Sequence, residues 1–131
     1  SLYTSVLPNL LVPAIADAVE ASSAYKVYVC NVATQLGETE GYTVGDHMAA
    51  LESHVRRSLF PTVLANDDLD EALADRFEGQ PGVEMVRPEI PSDADYRMTT
   101  ADLVDSVHPW RHDSHRLAQA LMRHLESKAS P

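Results

Sequence analysis

Two short runs limit the fold more than anything else in this chain. Lys26-Val27-Tyr28-Val29-Cys30-Asn31-Val32 is apolar at almost every position rather than at every second one. A strand with one wet face alternates, so a run of this kind predicts a strand covered on both faces. Thr62-Val63-Leu64-Ala65-Asn66 reads as a second strand, with Pro61 tolerable at its entry. Around them lie segments with helical spacing. Such alternation predicts βαβ units and a parallel sheet.

The helices have recognisable ends. After a turn at Pro8-Asn9, Pro13 suits the first position of a helix running to about Ser22, with Ile15, Ala16, Ala18 and Val19 as its apolar stripe. Thr43 and Asp46 fit a variant capping box ahead of Val44, Met48, Leu51 and Val55, which share one helical face. Asp67 or Asp68 can cap a short helix bearing Leu69, Leu73 and Phe77, and Gly79-Gln80-Pro81-Gly82 then forces a turn. Val83 to Val86 reads as a third, weaker strand, and the polar, proline-bearing stretch from Arg87 to Thr99 as loop. A short helical turn is expected over Thr100 to Val107. Asp113 is a good N-cap for the last helix, whose Leu117, Leu121 and Leu125 repeat every fourth residue. The expected class is α/β, with three to four strands, half of a normal doubly wound sheet.

Composition narrows the partners. The 131 residues suit one domain with one core, and 44% of them are apolar. Twenty acidic residues against 10 basic ones leave a net charge of −10. A nucleic-acid backbone or an anionic membrane would reward the opposite sign, so neither is expected as the main partner. An anionic ligand would need local positive potential, from a helix N-terminus or one or two basic side chains. Cys30 is the only cysteine, which excludes a disulfide scaffold and points to a reducing cytoplasm. The most apolar segment, Val6 to Val19, is broken by Pro8, Asn9, Pro13 and Asp17, so no membrane span is expected there. No basic stretch leads into it, as a secretory signal would require. The opening Ser1-Leu2-Tyr3-Thr4-Ser5, without Met, reads as an interior stretch of a longer protein.

In open α/β sheets, ligands collect where strand C-termini meet helix N-termini. Three segments are expected to form such a rim: Ser1 to Asn9, Asn31 to His47, and Asn66-Asp67-Asp68. The second is the richest, and its ordinary alternative is a solvated loop that caps a helix. Ser1 to Ser5 offers hydroxyls and backbone N–H groups to a phosphate. Arg111 and His112 sit just outside the last helix, and Arg111 is the best single candidate for a charge-assisted contact to phosphate. Six histidines raise the question of a metal. Pro109 keeps His108, His112 and His115 from one continuous helix, and no protein-only metal site is expected. Cys30 reads as core rather than nucleophile.

Three stretches carry a family resemblance. Ser1-Leu2-Tyr3-Thr4-Ser5-Val6-Leu7-Pro8-Asn9-Leu10-Leu11-Val12-Pro13 resembles the segment that follows a Gly-Pro-Gly in the gluconeogenesis factors, the YvcK-type branch of the CofD-like family. Val27 to Val32, Thr34-Gln35, Gly37-Glu38-Thr39, Gly41-Tyr42-Thr43 and Asp46-His47 are similar to a second motif of that branch, and Arg111-His112-Asp113 with Leu117-Ala118 to a third. The resemblance implies a Rossmann-like three-layer sandwich with a mostly parallel sheet, here a partial one. Residues 1–131 would be the C-terminal portion of a single domain whose N-terminal Gly-rich half is absent.

Its implied role is a cytoplasmic regulatory protein that binds a nucleotide sugar such as UDP-N-acetylglucosamine, linked to central carbon metabolism and cell shape. The sister branch implies an alternative, a 2-phospho-L-lactate transferase using a diphosphate donor and Mg²⁺ on Asp46 or Asp67. A third reading is a structural or oligomerisation piece. The implied ligand rim is Ser1, Tyr3, Thr4, Ser5, Asn9, Asn31, Gln35, Glu38, Thr39, Tyr42, Asp46, His47 and Arg111. The implied macromolecular partner is a second copy or the missing half. Two departures stand out: Leu36 replaces a usual proline, and Phe77 stands where a tyrosine is common.

Overall fold

The computed structural model describes residues 1–70, 72 and 82–129. Leu2–Val6 forms a π-helical turn that continues into α1 (Leu7–Leu10). Ser1 starts it, its side chain accepting from the Thr4 amide. α2 (Pro13–Ala21) begins on Pro13 as expected and lies at 80° to the preceding helical segment. Next come β1 (Val27–Val29), α3 (Val44–Val55) and β2 (Thr62–Asn66). β3 (Arg97–Ala101) and α4 (Ser114–Ala129) complete the order.

The sheet runs β1-β2-β3, with both pairings parallel. Val27 pairs with Thr62, and Thr62 with Arg97. β2 is central and buried at all five positions, the environment its uninterrupted apolar run calls for. Alternate residues serve opposite faces. Tyr28, Cys30, Val63 and Ala65 pack with Leu2, Leu7, Ala16, Met48 and Leu51 from the N-terminal helices and α3. Leu64, Leu103 and Val104 instead pack with Ala120, Leu117 and Leu121 of α4. Helices therefore cover both faces, giving the three-layer α/β sandwich.

The capping box forms as read: the Thr43 hydroxyl accepts from the Asp46 amide, and the Asp46 carboxylate accepts from the Thr43 amide at 2.8 Å. Gly45 follows because the chain comes close there. A Cβ at that position would lie 3.0 Å from the Pro91 Cδ and 3.2 Å from the Glu89 carbonyl oxygen.

Several expectations do not hold. The third strand is Arg97–Ala101, not Val83 to Val86, which contributes only an isolated antiparallel bridge between Met85 and Ala33. Among the described residues β3 is an edge strand, so its polar Arg97, Thr99 and Thr100 sit where one side has no neighbouring described strand, and its sequence resembles a loop. The expected helical turn over Thr100 to Val107 is absent, because Leu103 and Val104 are drawn into the core. The stripe on α2 narrows to Ala16 and Val19; Ala18 is exposed and Ile15 is 40% exposed. On α4 the fully packed residue is Ala120, whereas Leu125 is 40% exposed. The expected helix over Leu73 and Phe77, and the turn at Gly79-Gln80-Pro81, lie outside the described residues. No single described helix is long and apolar enough to cross a membrane.

Candidate functional site

A cleft of about 520 Å³ opens where the chain leaves β1. One wall is the loop from Asn31 to Glu38, together with Ser1. The other is the segment Trp110-Arg111-His112 that leads into α4. The volume is in the range of small-molecule sites.

The loop is held from within. The Gln35 amide donates to the Thr39 hydroxyl at 2.9 Å, and the Thr39 amide returns to the Gln35 carbonyl at 2.9 Å. The Thr34 amide donates to the Glu84 carbonyl at 2.8 Å, tying the loop to the segment around Glu84. Gly37 has a φ of 75°, a left-handed conformation that favours glycine, with no atom near the position of a Cβ. These ties leave the side chains of Asn31, Gln35 and Glu38 turned to the cleft. Asn31 Nδ2 donates to Gln35 Oε1 at 3.2 Å, and the Ser1 hydroxyl donates to Glu38 Oε2 at 3.0 Å.

The opposite wall is placed by backbone contacts. The Asp113 amide donates to the Leu103 carbonyl at 2.8 Å, and His112 bridges antiparallel to Val104. Asp113 Oδ1 then accepts from the amides of His115 and Arg116, so the first turn of α4 already carries its anion. The positive charge at the cleft is that of Arg111, which is exposed and whose guanidinium makes no hydrogen bond among the described residues. His112 is half-buried, and its Nε2 donates to the Cys30 carbonyl at 3.0 Å. Burial pulls its pKa below the ordinary 6.5, outweighing the bond to Cys30, which acts the other way.

The expected rim divides. Ser1, Asn31, Gln35, Glu38 and Arg111 line the cleft together. Tyr3, Tyr42 and Asp46 line a separate open groove, where the two tyrosine hydroxyls lie 3.0 Å apart. Thr4, Ser5 and Asn9 are exposed, and Asn9 Nδ2 donates to the Ser5 carbonyl at 2.7 Å. Thr39 and His47 are fully buried struts. The third segment expected on the rim does not line the cleft: Asn66 is buried and bonded to Asp68 and Leu103. Trp110 and His112 line the cleft but were absent from the expected rim. Their signal was adjacency to Arg111, since Trp110 is the only tryptophan in the chain.

Glu38 is the only carboxylate among the residues lining the cleft, and Asp46 is spent on its capping box. Among the described residues, no group of three His, Cys, Asp or Glu side chains is placed to hold a metal. Burial pushes the Cys30 thiol up to about 12, which leaves it protonated and inert as a nucleophile.

His47 sets a pH prediction together with His112. Its Nδ1 donates to the Thr43 carbonyl at 2.8 Å, and Nε2 is buried without a partner among the described residues. Burial lowers its pKa, as it does that of His112. An unfolded chain binds these protons near 6.5, whereas the folded one resists them, so stability rises with pH across that window. Stability is expected to be complete above about pH 6.5 and to fall as pH drops below it. Urea midpoints measured from pH 7.5 to 5 check this, and replacing both histidines should flatten the profile.

Comparison with known proteins places this geometry in context. Residues 1–128 match the model of the family described as 2-phospho-L-lactate transferase CofD. The chain is 37% identical over 129 residues to the gluconeogenesis factor of Bacillus subtilis, covering 93% of this chain and 39% of that protein. It is 46% identical over 90 residues to the gluconeogenesis factor of Halalkalibacterium halodurans, covering 69% of this chain and 27% of the relative. A crystal structure of a member of the UPF0052 family from Bacillus halodurans superposes with a TM-score of 0.80 at 33% identity, over 93% of this chain and 40% of that one. The chain thus spans well under half the length of the relatives it matches.

Proposed function

Because this chain belongs to the CofD family, we propose that its cleft binds a nucleotide sugar of the UDP-sugar class. The carrying observation is that an exposed arginine, two side-chain amides and a tryptophan meet in one cleft at the end of a parallel strand. Arg111 supplies a bidentate partner for a phosphate oxygen pair. Asn31 and Gln35 each offer both a donor and an acceptor for a base or sugar. Trp110 offers an apolar face.

In this reading the whole protein is a cytoplasmic regulator without turnover of its own, acting in central carbon metabolism and cell-shape control. The name gluconeogenesis factor, carried by relatives, supports the metabolic part. The rest of the nucleotide contacts come from the Gly-rich loop implied by the resemblance, and a second copy or the remaining part of the protein covers the exposed apolar side chains. One observation favours a second reading: the matching family model takes its description from a transferase. Product formation from a diphosphate donor and a deazaflavin acceptor would decide for that reading.

The test is calorimetric titration of UDP-N-acetylglucosamine into this chain and into a longer version that includes the Gly-rich loop. Binding is expected to be tighter in the longer version. Arg111→Ala should weaken it about ten- to a hundredfold, the value of a charge-assisted hydrogen bond, with an unchanged circular dichroism spectrum. Unchanged affinity in the variant would remove the cleft from consideration.

A further inference from the structure

His112 is tied more firmly than a residue that only fills space beside a cleft. Its backbone is fixed by the bridge to Val104 and by the neighbouring Asp113 amide on the Leu103 carbonyl. Its ring is fixed from across the sheet end, because Nε2 meets the Cys30 carbonyl at 3.0 Å. A carbonyl oxygen only accepts, so Nε2 carries the proton. Partial burial keeps the ring neutral. The remaining nitrogen, Nδ1, is therefore a bare acceptor. It has no hydrogen-bond partner among the described residues, yet it is not sealed off as His47 Nε2 is. His112 also lines the cleft beside Arg111. The result is a preorganised acceptor next to a cation.

We propose that His112 is a specificity-determining residue of the cleft, its Nδ1 accepting a hydrogen bond from an O–H or N–H group of the bound nucleotide sugar. Arg111 takes the negative charge of the ligand, and His112 reads a donor a short distance away. The pairing selects a ligand with both features over a plain phosphate. An acceptor held in place discriminates strongly, because a ligand lacking the donor leaves it desolvated and unpaired. This inference rests on the nucleotide-sugar reading above.

Two substitutions separate the two ring nitrogens. Histidine 112 to glutamine, His112→Gln, keeps an amide donor at the place of Nε2 and provides no acceptor at that of Nδ1. His112→Asn does the reverse, with Oδ1 near the place of Nδ1 and no reach to Cys30. In the full-length protein, His112→Gln is expected to bind UDP-N-acetylglucosamine about tenfold more weakly at an unchanged urea midpoint. His112→Asn should keep most of the affinity while losing stability. Imidazole ¹⁵N spectra of the parent should show Nδ1 unprotonated and shifted when UDP-N-acetylglucosamine is added. Titrating UDP then locates the donor. A glutamine penalty that vanishes with UDP assigns it to the sugar, and one that persists assigns it to the uridine.

If His112→Gln binds like the parent and Nδ1 does not shift, while Arg111→Ala loses affinity, the role of His112 is overturned and the nucleotide-sugar reading stands. If the parent itself does not bind, both fall. Should His112→Asn fail to fold, the glutamine variant and the spectrum still decide.

Discussion

Leu64→Ala is expected to destabilise the fold by about 2–5 kcal/mol, the range for emptying a close-packed leucine site. Leu64 is 2% exposed and sits at the middle of the central strand. It pairs with Val29 on one side and Thr99 on the other, so neither strand can close the gap without giving up register. Its side chain faces the second core cluster, where Leu103, Val104, Ala120 and Leu117 surround it. α4 reaches the sheet mainly through this cluster, and losing Leu64 removes part of the seat of that helix. The measurement is a urea titration, in which the midpoint should fall with little change in slope. A loss below about 1 kcal/mol would mean that α4 re-seats on the sheet, contrary to the close packing described.

The second large effect is expected at Asn66. This residue is 2% exposed, and its Oδ1 accepts from the Leu103 amide at 3.0 Å while Nδ2 donates to the Asp68 carbonyl at 2.7 Å. It joins the exit of β2 to the chain leaving β3, and that chain goes on to the cleft wall at Trp110 to His112. Asn66→Leu keeps the branched shape and the number of side-chain heavy atoms but strands the Leu103 amide inside a residue that is itself 0% exposed. An orphaned buried amide costs about 1–3 kcal/mol, and the Asp68 carbonyl adds to this if water does not reach it. Hydrogen exchange gives the local readout. The Leu103 amide should lose protection by more than the global change in stability accounts for. Equal loss across the sheet would show that the bond matters only through overall stability.

Much of this fold was legible because the signals were local. The run over Thr62 to Asn66 marked a strand buried on both faces, and the structure places it at the sheet centre. Pro13 at the start of α2, the Thr43–Asp46 capping box and the Asp113 cap each depend on contacts within a few residues. The stretches that carried the family resemblance were equally visible, and the match over residues 1–128 agrees with them. β3 was not legible. Arg97-Met98-Thr99-Thr100-Ala101 owes its strand conformation to pairing with β2, and nothing in its own polarity announces that. The weak apolar run at Val83 to Val86 looked more like a strand and formed only a single bridge.

The site divides along the same line. The crowding of hydrogen-bonding side chains at the end of a buried strand was readable, as was Arg111 as a nearby cation, and the structure places both on one cleft. The separation of Tyr3, Tyr42 and Asp46 into another groove was not, nor was the conversion of Thr39 and His47 into buried struts. Hydrophobic pattern, caps and turns act over one or two helical turns, so the chain by itself determined the α/β class, the central strand and the helix starts. Which side chains share a cleft depends on where β1, α4 and the N-terminal turn come to rest against one another. That placement follows from packing on two faces of one sheet, and so only the tertiary structure brought Ser1, Asn31, Arg111 and His112 together.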